Sequence, residues 1–152
     1  METKHDREVH SQQAGTRGRG RGAHAQGATR ALTKALTVKQ PWAALIMAGI
    51  KDVENRAWAT NHRGELLIHA GKAYDASADL SALPDTPGDD LMAAAGVIVG
   101  TVQLLDCVQG HPSEWAEPDC WHWVLAEPRL YDVPVPHRGS LGLWVPKMPI
   151  LR

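Results

Sequence analysis

The residues best placed to do chemistry lie in one stretch, Gly49-Ile50-Lys51-Asp52-Val53-Glu54-Asn55-Arg56, shortly after Gln40-Pro41-Trp42-Ala43. An ammonium, a carboxylate and a guanidinium follow one another closely there. Lys51 and Arg56 can neutralise phosphate, and the arginine fork can bond two acceptors at once, on a phosphate or on a guanine edge. Glu54 can accept from an exocyclic amine such as that of cytosine, or pair with Lys51 and fix its position. Glu54, Arg56 and Trp58 have the same parity, so on a strand they point the same way. Lys51 has the opposite parity and joins them only if the turn after Gly49 redirects it. Trp58 suits either core packing or a platform for an unpaired base, a contact worth about 1–3 kcal/mol. The plainer account of the whole cluster is a surface ion-pair group of little consequence.

Further candidates surround this group. Gln40, just before Pro41, has an amide that can cap the following helix or read a base edge. His69 and Lys72 leave a strand end near where a cleft would open, although a strand histidine is often simply hydrogen-bonded. Arg63 and Arg138 each precede a glycine, in His62-Arg63-Gly64 and His137-Arg138-Gly139, and would extend a phosphate path. Cys107, Cys120 and His122 have none of the Cys-x-x-Cys or His-x-x-x-His spacing of a zinc site, so no metal or other cofactor is expected. A Gly-x-x-x-x-Gly-Lys loop and a Gly-x-Ser-x-Gly elbow are also missing, which leaves nucleotide hydrolysis of that kind and serine-hydrolase chemistry unsupported.

The elements that must position these residues are short. Leu36-Thr37-Val38 reads as a strand. Pro41 opens a helix on which Trp42, Leu45, Ile46 and Gly49 recur at helical spacing, with Gly49 as the stop. Val53–Ala59 alternates as a strand, a turn follows at 61–64, and Glu65–Ala70 is the next strand. A short helix is expected before Pro84, then a turn-rich acidic loop from Asp85 to Asp90. Gly96–Asp106 is the longest β-run and apolar on both faces, as a central strand would be. Trp121–Leu125, Leu130–Val133 and Leu141–Val145 complete the set, with Trp42, Trp121 and Trp123 expected in the interior. Five to six short strands with one or two helices imply a mainly β, α+β domain, a small and partly closed barrel rather than βαβ units.

Composition sets the frame. The 152 residues carry 43% hydrophobic types, six Trp and no Phe, so tryptophan supplies nearly all the aromatic bulk of one domain. No apolar run approaches the roughly 20 residues of a membrane span, and no hydrophobic segment follows the N-terminal charges as in a secretory signal. Two cysteines do not make a disulfide framework, so a reducing cytoplasm is the expected compartment. Net charge is −1, yet residues 1–34 hold seven basic side chains against three acidic ones. That leader, centred on Gly15-Thr16-Arg17-Gly18-Arg19-Gly20-Arg21-Gly22, lacks the apolar content to fold and is expected to be disordered. It would touch phosphate backbones in a salt-dependent way, or serve only as a leader. The folded domain is expected over 35–152.

The blocks Leu36-Thr37-Val38-Lys39-Gln40-Pro41-Trp42-Ala43, Gly49-Ile50-Lys51, Val53-Glu54 and Arg56 closely resemble the signature of ASCH domains, relatives of the PUA barrels that bind modified RNA. The resemblance continues through Leu67–Ala70, Gly96–Val102, Trp121-His122-Trp123, Pro134-Val135-Pro136 and Gly139. It implies a barrel of five to six strands whose cleft, between barrel and first helix, is lined by Lys51, Glu54 and Arg56. Its implied activities differ: DNA or RNA binding, hydrolysis of N4-acetylcytidine, or ribonuclease action. The amidohydrolase group is similar at Lys51 and Arg56, but its nucleophilic threonine corresponds to Glu54, which would have to serve as a base on water. A module binding single-stranded RNA or DNA, or a modified nucleoside, is therefore expected first. A Lys51/Glu54 hydrolase and a protein-interaction adaptor are the alternatives.

Overall fold

The computed structural model describes residues 33–147. Apart from Thr33 and Lys34, the Arg/Gly-rich leader lies outside the described residues, as does the tail from 148 onward. Six strands and two short helices follow in the order β1 (Lys34–Gln40), α1 (Trp42–Met47), β2 (Val53–Arg56), β3 (Gly64–Tyr74), α2 (Asp89–Ala93), β4 (Val97–Val108), β5 (Trp121–Pro136) and β6 (Leu143–Trp144).

All six strands form one curled sheet, a half-barrel with the order β2-β5-β4-β3-β1-β6. The pair β1–β3 is parallel and every other pair antiparallel. A parallel pair needs a crossover. Here the chain makes it by leaving β1 through α1, adding β2 at the far edge of the sheet, and returning as β3. Helix α1 therefore packs against β1, β3, β4 and β5 and plugs the concave face. Its residues Ala43 to Met47 are all buried, because a helix inside a curled sheet meets protein on nearly every side. The main core joins Leu36 and Val38 of β1, Ile46 and Met47 of α1, Ile68 of β3, Val99 and Val102 of β4, and the fully buried Trp123 of β5. A smaller apolar group, Ala35, Leu67 and Ile98, covers the other face.

The helix is bounded as its sequence predicts. Gln40 Oε1 accepts from the Ala44 N–H at 3.0 Å, so the side chain preceding Pro41 satisfies one of the open donors of the first turn. The Gln40–Pro41 peptide is cis. At the other end Gly49 adopts φ 76°, the left-handed conformation that ends a helix, and its N–H bonds Ile46 O at 3.0 Å.

Several expectations need correction. Strand β2 stops at Arg56, so Trp58 lies beyond it. The second helix occupies Asp89–Ala93, overlapping the end of the acidic loop expected from Asp85 to Asp90, and the stretch before Pro84 holds only turns. Trp121–Leu125 and Leu130–Val133 are one strand, and β5 with 16 residues exceeds β4 with 12. Glu127-Pro128 lies between the two strands expected from the sequence, and proline removes a ladder donor. Here it sits at a bulge: Glu127 takes φ 50°, and the pairing with β4 shifts between Thr101↔Arg129 and Gln103↔Ala126. A bulge bends its strand and raises the twist, which is what a curling sheet requires. Trp42 and Trp121 are only half-buried, unlike Trp123.

Candidate functional site

Strand β2 pairs with β5 in the register Glu54↔Trp123 and Arg56↔Trp121, and this fixes the carboxylate and guanidinium beside one another. Arg56 Nε stands 3.6 Å from Glu54 Oε1, and Arg56 Nη2 donates to Thr37 O of β1 at 2.9 Å. Arg56 thus bridges from the β2 edge towards β1. Glu54 is only 8% exposed. Burial pushes its carboxyl up from the ordinary value, against the opposing attraction of Lys51 and Arg56. Two atoms of this pair, Glu54 Oε2 and Arg56 Nε, are buried with no hydrogen-bond partner among the described residues. Unsatisfied buried polar atoms are costly and uncommon in folded proteins.

Both groups line a hollow of about 570 Å³ whose walls include Trp58, Lys39, Lys72 and Leu141. The Trp58 ring meets Trp123 edge-on at 4.8 Å and 89°, and its carbonyl accepts from Trp123 Nε1 at 3.3 Å. Trp58 is therefore anchored by the core but still 37% exposed, on the wall of the hollow. Three cations against one carboxylate make this hollow basic although the body of the chain is acidic.

Lys51 reaches the group from behind. It is 5% exposed, and its ammonium donates to Val53 O between the rings of Trp42 and Trp115, 5.8 and 5.9 Å from their centroids. Desolvation lowers its pKa, while Glu54, Glu117 and Asp52 pull it up. A separate hollow of about 180 Å³ lies beside it and shares Trp42, Glu54 and Asn55 with the larger one. Around it several polar groups are matched, although Trp115 Nε1 is buried without a hydrogen-bond partner among the described residues. Trp42 Nε1 donates to Asp75 Oδ2 at 3.0 Å, Asn55 Nδ2 to Trp115 O at 2.9 Å, and Glu117 N to Asn55 Oδ1 at 2.9 Å.

The other expected residues divide. Lys72 lines the large hollow, and a neighbouring basin of about 560 Å³ holds Lys72, His69 and Arg138. His69 Nε2 donates to His137 O at 2.7 Å, and its Nδ1 accepts from the Thr37 hydroxyl at 3.2 Å, which in turn accepts from Trp144 Nε1 at 3.2 Å. Both ring nitrogens are occupied, and burial lowers the ring's pKa. Of the two roles open to Gln40, the structural one is filled. Its amide donates to Leu91 O and Ala94 O, each at 2.9 Å, beyond the helix cap already described, so it ties α2 to α1 and lines none of these hollows. Arg63 likewise lies outside them, bonded to Thr60 O and His62 O and 3.5 Å from Asp106. Sequence reasoning missed Thr37, Asp75, Trp115 and the loop 140–142. Trp115 and Asp75 sit in irregular segments where no periodicity marks a facing, and only the fold brings them to β2.

Cys107, Cys120 and His122 form no cluster. His122 accepts from His111 N at 3.1 Å and bonds Glu117 O at 2.5 Å, and among the described residues no group of three or more His, Cys, Asp or Glu could hold a metal. Among the same residues no helix is long and apolar enough to cross a membrane.

The ASCH domain family model matches residues 36–134, from the start of β1 to near the end of β5, and so covers every wall of the cleft except the 140–142 loop. The chain belongs to the ASCH domain family. ASCH domains are PUA-like, of the RNA-binding type. Activating signal cointegrator 1 from Homo sapiens is 32% identical over 124 residues, 72% of this chain and 21% of that protein. The Mus musculus protein of the same name is 31% identical over 124 residues, with the same coverage. This ASCH domain thus spans about one fifth of the length of the relatives it matches.

Proposed function

We propose that this ASCH domain binds nucleic acid by taking an unpaired base, plain or modified, from single-stranded RNA or DNA into the hollow between Trp58, Arg56 and Glu54. The observation that carries this reading is that Glu54 Oε2 and Arg56 Nε, on two residues that line the hollow, are buried without a hydrogen bond. One accepts and the other donates. A base edge with an adjacent donor and acceptor satisfies both, while Trp58 offers a ring face for stacking. Lys39 and Lys72 on the rim favour an anionic backbone. A cytoplasmic setting, in which Cys107 and Cys120 remain thiols, belongs to the same proposal.

The test is fluorescence anisotropy of labelled mixed-sequence single strands, RNA and DNA, against the parent and Arg56→Ala. Binding that weakens about tenfold or more in the variant, and weakens further with salt, supports the reading. Equal binding by both proteins overturns it.

Two other readings rest on particular observations. The raised carboxyl of Glu54 suits a general base acting on water, which supports a hydrolase for modified nucleosides. Turnover that vanishes in Glu54→Gln would replace binding by catalysis. The name of the relatives, a cointegrator, supports a protein-interaction adaptor. Partners retained after nuclease treatment would favour that.

A further inference from the structure

Beyond Lys72 the cleft opens into the second basin, whose lining differs in kind from the first. Thr37, Gly71 and Lys72 belong to both, so the two spaces adjoin. The first contains Glu54; no carboxylate lines the second, where the charged side chains are Lys72 and Arg138. Among the described residues neither of these cations is held in an ion pair, unlike Arg56 on Glu54 and Arg63 on Asp106. Both are exposed, so they are free to turn onto an incoming anion.

The frame beneath them is fixed. His137 N donates to Gly96 O at 3.1 Å, and Gly96 N to Ala70 O at 2.7 Å. His69 Nε2 holds His137 O from the other side. The His137 ring is itself occupied, with Nδ1 donating to Arg138 O at 2.6 Å and Nε2 accepting from Lys147 N at 3.3 Å. Its role is to set the backbone that carries Arg138. Gly139 closes the floor, and a Cβ there would come within 2.9 Å of both the His69 ring and the Thr37 hydroxyl. The glycine lets the Arg138 loop lie directly on β1 and β3. Two unpaired cations over a rigid floor, with no carboxylate to repel an anion, suit a compact oxyanion.

We propose that this basin is a phosphate seat, so that the unit recognised is a nucleotide held by base and phosphate together rather than a bare nucleoside. The inference rests on the base-binding reading of the adjoining cleft. It adds that Lys72 and Arg138 take the phosphate next to the base seated by Glu54, Arg56 and Trp58, and so gives the ligand a direction along the trough.

The four ribonucleosides, their 5′- and 3′-monophosphates, and inorganic phosphate alone are titrated calorimetrically into the parent and into a Lys72→Ala/Arg138→Ala double variant. The variant's fold is checked by its thermal midpoint. In the parent one monophosphate binds roughly tenfold or more tighter than its nucleoside. In the variant that ratio falls to about one. Equal affinity for nucleoside and monophosphate in the parent overturns the seat and leaves the base cleft standing, as does a phosphate gain that survives the double substitution. Binding of inorganic phosphate that depends on Lys72 and Arg138, without any gain from an attached nucleoside, keeps the seat and overturns the base cleft. No binding by any probe overturns both.

Discussion

Lys51 and Arg56 leave the same turn-to-strand segment and end in opposite circumstances. Around Lys51 the protein leaves only a small hollow of about 180 Å³: two tryptophan rings flank the ammonium, a carbonyl receives it, and Asn55, Asp75 and Glu117 N are matched with neighbours, while Trp115 Nε1 is buried unbonded. Around Arg56 the protein stops short of closure. The guanidinium bonds Thr37 O and pairs with Glu54, but its Nε and the Glu54 Oε2 make no hydrogen bond, and both residues line a hollow of about 570 Å³. Charge type does not separate a structural cation from a binding one here. What separates them is where the fold puts them: Lys51 is enclosed between two rings, whereas Arg56 lines the larger hollow. The cation enclosed between the rings holds the helix-to-strand turn; the one on the wall of the larger hollow is available to a ligand.

The largest effect should come from the closed side. Lys51→Ala removes the bond to Val53 O and leaves a gap between Trp42 and Trp115, with an expected cost of about 2–4 kcal/mol in urea unfolding. Any loss of binding should track the unfolded fraction. If Lys51→Ala instead kept full stability and lost binding, the two sides would have been assigned the wrong way round.

On the open side, Arg56→Lys keeps the charge but loses the fork. Affinity for single strands should fall about tenfold while the urea midpoint stays close to that of the parent. Trp58→Ala should cost binding about 1–3 kcal/mol if a base stacks there. Oligonucleotide titration of folded protein checks both substitutions.

The smallest effects are those of pH. The folded Glu54 carboxyl is raised, so the folded state holds its proton more tightly than the unfolded chain does. The stability this provides is present below the ordinary carboxylate range and is lost as pH rises through the raised value. Glu54→Gln should flatten that decline in a series of urea midpoints. His69 has the opposite sign. Its folded pKa lies below the ordinary 6.5, so its contribution is present above that value and lost as pH falls through the depressed one. A decline at low pH that persists in His69→Gln would assign it to other groups.

Much of the open side was legible in the sequence. The shared parity of Glu54 and Arg56 gave their common facing, and Gly49 marked where the helix hands over to β2. Apolar periodicity also foretold the curled sheet and its helix. The closed side was less readable because its partners are remote: Trp115 reaches Lys51 from a segment without strand or helix pattern, and Asp75 from the turn after β3. Gln40 illustrates a different limit. Its position before Pro41 allowed capping or base reading, and only the placement of Leu91 and Ala94, in and just after a helix expected elsewhere, decided where its amide is spent. Glu127-Pro128 hid the continuity of β5 because a bulge and a turn share the same residue types.

Indole N–H resonances give the most direct test, since the six tryptophans sample both sides of β2. In a ¹⁵N correlation spectrum titrated with a mixed-sequence single strand, the Trp58 signal, assigned by its loss in Trp58→Phe, should shift or broaden to saturation while that of Trp115 holds still. A Trp58 signal unmoved by saturating strand, or a response confined to Trp115, would contradict the open cleft as the binding site.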